Sequence, residues 1–312
     1  MRVCLMIEGQ EGVTWDEWVA LANAAEDAGL EGLFRSDHYS AIVQPLAGSL
    51  DAWATLAALA PLTSTLRLGT MVSPTTFRHP SVLARTALTV DHISGGRVEL
   101  GMGAGWYERE HLENGIPFLD VKARFDLFEE QVEIVVRTWT EESFDHDGTH
   151  YTLRSQTALP KPLQQPHPPL ILGGRAKRRG AALAARFATE YNTPDSSPAE
   201  LCETRDRLDV ACEDIGREPA TLPLSMMVTA VVGRDRAEVD QRLTRVRCLL
   251  ARFEMGAEQN WILGTVDDVL EQFEALEAAG VSRVFLQHLD HRDLDSVAIM
   301  GEIARLSSSP RL

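Results

Sequence analysis

Short apolar runs alternate with longer segments of helical period along the whole of this chain. Strands separated by helices cannot pair as hairpins, so they lie parallel, and each helix becomes the crossover between two of them. The unit recurs about eight times, the number that closes a barrel. It predicts strands over residues 3–7, 32–35, 66–71, 98–101, 170–172, 189–192, 224–231 and 283–287. Each run is short and apolar, as strands covered on both faces must be. The helix predicted over 14–28 has sharp ends: Thr14 and Glu17 are spaced as a capping box, Trp18, Leu21 and Ala25 line one face, and Gly29 stops it. The expected fold is α/β, a (β/α)8 TIM barrel.

Two stretches break the rhythm. Residues 141–169 hold the hairpin-like turn Phe144-Asp145-His146-Asp147-Gly148 and then Pro160, Pro162, Pro166, Pro168 and Pro169. Residues 234–262 add a helical segment, ending near Trp261, between the seventh strand and the last βα unit. Both are expected as insertions at the C-terminal mouth, where they can cover a site. With no low-complexity tract and no Gly/Ser linker, one domain over 1–312 is the economical count.

The chain has 312 residues, 44% of them hydrophobic, enough for one large core. Its 46 acidic residues against 30 Lys plus Arg give a formal charge of -16, which disfavours nucleic acid and anionic membranes as partners. Cys4, Cys202, Cys212 and Cys248 form no C-x-x-C pair, so reduced thiols in a cytoplasmic protein are expected. No signal peptide is read at the N-terminus, and no apolar run has the length of a membrane span. His146 with His150, and His288 with His291, raise a metal question. No H-x-H follows the first strand and no H-E-x-x-H occurs, so a metal-dependent hydrolase is disfavoured and no metal site is assigned.

Chemistry is expected where parallel strands end. Asp37 and His38 follow the second strand; a histidine there can act as acid or base, with a neighbouring carboxylate fixing its tautomer. Equally, Asp37 could cap a turn and His38 fill space. Gly101, Gly103 and Gly105 lack the spacing of a dinucleotide fingerprint. Missing β-carbons there would let a flat ring approach the backbone, with Trp106 and Tyr107 as walls; packing alone is the plainer explanation. Gly173-Gly174 lies between an apolar strand and a helix expected to begin near Ala176, which presents outward N–H groups at a positive helix end, an anion site. Arg175, Lys177, Arg178 and Arg179 strengthen it, although a solvated helix face is the alternative, with Arg178 and Arg179 the first bystanders.

Several patterns in order carry a resemblance. They are Ala25-Glu26-Asp27-Ala28-Gly29-Leu30 leading to Arg35-Ser36-Asp37-His38; Leu68-Gly69-Thr70-Met71-Val72-Ser73-Pro74; and Asp91-His92-Ile93-Ser94-Gly95-Gly96-Arg97 leading to Gly101-Met102-Gly103-Ala104-Gly105-Trp106-Tyr107-Glu108-Arg109-Glu110. Leu170-Ile171-Leu172-Gly173-Gly174, Gly264-Thr265-Val266-Asp267-Asp268-Val269 and Ala279-Gly280-Val281 complete the set. Together they resemble the luciferase-like family of flavin and deazaflavin oxidoreductases, most of all its deazaflavin-using branch.

The resemblance implies a planar redox cofactor, coenzyme F420 or alternatively FMN, across the barrel mouth. It implies a non-prolyl cis peptide at Met71–Val72 after Thr70, pressing those residues against the ring. It also implies contacts from Gly103, Gly105, Trp106 and Tyr107, a phosphate on Gly173, Gly174 and Arg175, and a small-molecule substrate beside His38 and Asp37. Phe77 and Trp261 join Trp106 and Tyr107 as expected mouth aromatics, and a homodimer through outer helices is the implied assembly. An FMN-dependent monooxygenase on the same scaffold and a catalytically silent flavin-binding member are the rival readings.

Overall fold

The computed structural model describes residues 1–44, 47–157, 159–251 and 260–308. Its strands are β1 (Arg2–Ile7), β2 (Gly32–Arg35), β3 (Arg67–Thr70), β4 (Ser73–Pro74), β5 (Val98–Gly103), β6 (Phe144–Asp147), β7 (Thr152–Gln156), β8 (Leu170–Gly173), β9 (Glu190–Pro194), β10 (Leu224–Gly233), β11 (Ile262–Thr265) and β12 (Val281–Gln287). Eight of them, in the ring order β1-β2-β3-β5-β8-β9-β10-β12, pair only in parallel, and β12 returns to β1 with Arg2 opposite Arg283. This is a closed (β/α)8 barrel, as expected.

Alternation along the strands explains its two cores. On β1, Val3, Leu5 and Ile7 face the helices and join the large outer core, whereas Cys4 and Met6 face inward with Phe34, Met71, Ile171 and Phe285. The first helix, Trp15–Asp27, has the anticipated capping box, with Trp18, Leu21 and Ala25 buried.

At the closed end the inward positions are charged. Arg283 donates to both Glu99 oxygens at 2.8 and 3.1 Å and to Glu190 at 3.3 Å, while Arg67 donates to Glu99 from the rim. The three central side chains are all buried. Guanidinium and carboxylates in so dry a place persist because each meets an opposite charge.

The mouth is built mainly from residues 36–44 and 47–51, the loop 104–120 with its short helix Glu108–Glu113, and the helix Arg236–Leu250. That last helix, with Val231 and Trp261, makes a satellite core against which Val43 and Leu289 pack. β11, not anticipated, extends the outer half of β10 with Ala230 opposite Ile262. Residues 252–259 of the expected helical segment lie outside the described residues.

The segment 141–169 differs from expectation. It forms the β6–β7 hairpin, but on the outer flank of the barrel. Glu130, on the helix Val121–Thr140, accepts from His146 Nε2 and from the N–H groups of His150 and Tyr151 at 3.0, 2.9 and 2.7 Å. Ser81 and Arg85 hold its other end through Gln156 and the Thr157 carbonyl. Its polar strand faces suit a solvated wall and not a lid.

No described helix is long and apolar enough to cross a membrane.

Candidate active site

A cavity of about 740 Å³ opens at the carboxyl ends of the barrel strands. Mostly apolar with a few convergent polar groups, it has the character of a small-molecule site. Nine residues singled out in the sequence line it: His38, Met71, Val72, Gly103, Gly105, Trp106, Gly173, Gly174 and Arg175.

The Met71–Val72 peptide is cis, as the resemblance implied. Val72 sits in a cup of glycines. A β-carbon on Gly103 would lie 2.7 Å from Val72 Cγ2, and β-carbons on Gly101 and Gly173 would lie 3.0 and 3.1 Å from Cγ1. The bare strand ends therefore make room first for the Val72 side chain, which then forms part of the cavity wall. Thr70 stands behind that wall, its hydroxyl donating to the Gly101 carbonyl at 3.0 Å, and does not reach the cavity.

His38 carries the most chemically specific contact. Its Nδ1 lies 2.7 Å from Glu110 Oε1, and Glu110 Oε2 accepts from the Tyr39 N–H at 3.1 Å. Glu110 is fully buried on the short helix 108–113 and His38 is nearly so. Burial by itself lowers the His38 pKa, but the Glu110 carboxylate outweighs it, with Glu8 and Asp37 adding smaller fields, so the pKa is raised above the ordinary value. With Nδ1 engaged, Nε2 is the atom left to exchange a proton with a ligand.

The carboxylate expected to orient His38 was Asp37, its chain neighbour. Asp37 instead points away from the cavity, accepting from Ser73 Oγ at 2.7 Å and from both terminal nitrogens of Arg78. It ties β2 to the segment after β3. Glu110 takes the expected role from 72 positions along the chain.

The aromatic wall is also thinner than anticipated. Trp106, 61% exposed, stands at the rim with its ring edge-on to His38 at 5.8 Å. Tyr107 turns outward and donates to the Ala41 carbonyl at 3.2 Å. Phe77 stacks on Tyr39 at 4.7 Å, and Trp261 is buried in the satellite core. His288 is buried, donates from Nε2 to the Asp293 carbonyl at 3.1 Å, and is pushed down by that burial to about 4.

At the exit of β8 the chain turns through Gly174 and Ala176, whose φ angles are 152° and 42°. Gly174 N–H is held by the Asn192 carbonyl at 3.0 Å and Ala176 N–H by the Tyr191 hydroxyl at 2.7 Å. These bonds delay the helix to Arg178–Phe187, with Lys177 at its N-cap and no side chain capping it. An uncapped helix start behind Arg175 is a fit place for an anion. Arg179 is bound to Asp126 and Glu129 and takes no part.

Several polar lining groups were not singled out from the sequence, among them Glu8, Gln10, Glu11, Asn192 and Gln287. Glu8 follows β1, so the strand-end rule that marked His38 marks it equally. Among the described residues no group of three or more His, Cys, Asp or Glu is placed to hold a metal.

A barrel with one such cavity at its strand exits is the architecture of a small-molecule enzyme. The chain belongs to the luciferase-like monooxygenase family, whose model matches residues 2–261. The uncharacterized protein Rv0953c of Mycobacterium tuberculosis is 34% identical over 145 residues, 46% of this chain and 50% of that relative. The FMNH(2)-dependent dimethylsulfone monooxygenase of Pseudomonas putida is 32% identical over 118 residues, 38% of this chain and 32% of that enzyme. The matches thus span half or less of these curated relatives. An F420-dependent secondary alcohol dehydrogenase shares the fold across 99% of both chains, with a TM-score of 0.84 and 20% identity.

Proposed function

We propose that this protein is an F420-dependent oxidoreductase that moves a hydride between the deazaflavin and a small organic substrate. The observation that carries the reading is His38, held by buried Glu110 and facing the same cavity as the Met71–Val72 wall and the Gly173–Arg175 cradle.

The residues present fit such a cofactor. Met71, Val72 and the Gly103–Gly105 strand end offer a flat, apolar wall for a tricyclic ring. Gly173, Gly174, Arg175 and the uncapped helix start would take its phosphate. Exposed Lys177 and Arg178 continue the positive charge outward, which suits a long anionic tail. When bound, the deazaflavin supplies a two-electron hydride couple that does not activate oxygen. His38 would hold the proton that a substrate oxygen gains or releases, through Nε2. Trp106 would shield that exchange from bulk water.

FMN is the alternative, since its phosphate suits the same cradle, and the Pseudomonas putida relative is an FMNH(2)-dependent monooxygenase. Parallel titration of the purified protein with F420 and FMN, read by cofactor fluorescence and by melting temperature, tests the reading. Saturable F420 binding that Arg175→Gln weakens, without oxygen uptake, is expected. A yellow protein that retains FMN and consumes oxygen when the flavin is reduced would overturn it. Binding of neither cofactor would overturn both redox readings and favour a catalytically silent family member.

A further inference from the structure

The two sides of the cavity differ in charge. In the barrel's ring order β1 stands directly across from β8, so Glu8, at the exit of β1, faces the cationic cradle from the opposite wall. Glu8 is held firmly. Its Oε2 accepts from Gln10 Nε2 at 2.8 Å, and its Oε1 accepts from Gln287 Nε2. Each amide is fixed in turn: Gln287 Oε1 accepts from Thr229 at 2.6 Å, and Gln10 Oε1 accepts from Ser36 at 2.5 Å. Neutral amides orient a carboxylate without cancelling its charge, and Arg175 is the only Lys or Arg among the described residues lining the cavity.

The second carboxylate on the lining is already occupied. Glu11 accepts the N–H groups of Ile42, Val43 and Gln44 at 2.8, 3.0 and 2.8 Å, which pins the loop that carries Ile42 and Val43 over the cavity. Glu8 thus keeps lone pairs for a ligand, and the apolar side chains of Ile42, Val43, Met227 and Leu289 line the same cavity. An oriented carboxylate at the edge of an apolar cavity favours a ligand that brings a donor and disfavours one that brings a second negative charge.

We propose that Glu8 is the acceptor that binds and orients the substrate, and that the substrate is a neutral or cationic molecule carrying a hydroxyl or ammonium donor on an apolar body, with carboxylates excluded. In calling the ligand a substrate this rests on the redox reading above; the binding preference itself does not.

The test uses cofactor-free protein and three probes of one shape: benzylamine, benzyl alcohol and benzoate. Affinities are measured by calorimetry, with inorganic phosphate present to fill the cationic cradle. Wild type should bind the amine and the alcohol, with benzoate at least about tenfold weaker. Glu8→Gln should lower the amine-to-benzoate ratio by about tenfold to a hundredfold, the range of a charge-assisted hydrogen bond. Benzoate bound as well as benzylamine in wild type, or a ratio that Glu8→Gln leaves unchanged, overturns the proposal. Should that variant fail to fold, Gln287→Met must still cut benzylamine affinity, and no change there counts against Glu8. Glu8-dependent probe binding in a protein that takes neither F420 nor FMN breaks the redox reading and leaves this site standing. Cofactor binding with probe affinities indifferent to Glu8 does the reverse.

Discussion

The barrel buries charge at both ends and uses it in opposite ways. At the closed end Arg283 meets Glu99 and Glu190, Arg67 completes Glu99, and each charge answers another within the protein. At the mouth the His38–Glu110 pair satisfies only one imidazole nitrogen, and Glu8 is held by amides that leave it charged. The first arrangement pairs every charge without a ligand, leaving one Glu190 oxygen without a hydrogen bond. The second has bonding capacity left over, and that surplus distinguishes a site from a plug.

Breaking the closed end should cost the most. Arg283→Met leaves two carboxylates facing each other inside the barrel, and about 3–5 kcal/mol of stability should disappear in urea unfolding. A loss under about 1 kcal/mol would mean that the plug is not the self-sufficient cluster described here.

At the mouth the balance reverses. His38→Asn retains a donor for Glu110, so stability should shift by no more than about 1–2 kcal/mol. Turnover with the bound cofactor should nonetheless fall roughly 10²–10⁴-fold, the usual worth of a positioned acid or base. Equal damage to both quantities would make His38 a structural residue.

Glu110→Gln sharpens the contrast through pH. It removes the chief influence raising the His38 pKa, so the histidine should titrate at lower pH, as side-chain NMR would show directly. The linkage has a definite sign. Because the folded pKa lies above the unfolded one, the pair's contribution is full below the unfolded value and is lost as pH rises through the folded value. Stability of wild type relative to Glu110→Gln should therefore decline across that interval; a difference that grows with pH would contradict the pairing.

The smallest effect is expected at the loop anchor. In Glu11→Gln one amide oxygen replaces two carboxylate oxygens that serve three N–H donors, which loosens Ile42 and Val43. Affinity for benzyl alcohol should fall about threefold to tenfold, with unchanged affinity refuting the anchor.

Local signals in the sequence were enough for most of the fold. All eight barrel strands fall within about two residues of their predicted runs, because most strands buried on both faces are written as short, mainly apolar runs, although Thr189-Glu190-Tyr191-Asn192 is polar. β11 was missed although Trp261-Ile262-Leu263 offered the same signal, shortened by Gly264. In the site, strand-end position marked His38 and Gly173–Gly174, while the Met71–Val72 turn came from the family resemblance. Neither could pair side chains distant in the chain. Asp37 was joined to His38 by adjacency, yet consecutive residues leaving a strand point to opposite sides: Asp37 turned to Arg78, and Glu110 came from the fourth barrel crossover. The hairpin 144–156 was legible as a hairpin, but its position was not, since the Glu130 contacts that hold it lie on a helix that reads only as amphipathic.

In the proposed cofactor-bound state the β3 exit and the β8 exit face a common planar ring within one hollow. A crystal structure of the protein soaked with F420 tests this most directly. The ring should lie against Met71 and Val72, its phosphate on Gly173–Arg175 and its open face toward His38 and Glu8. Cofactor density away from the mouth, or in the mouth with the phosphate remote from Arg175, would contradict it.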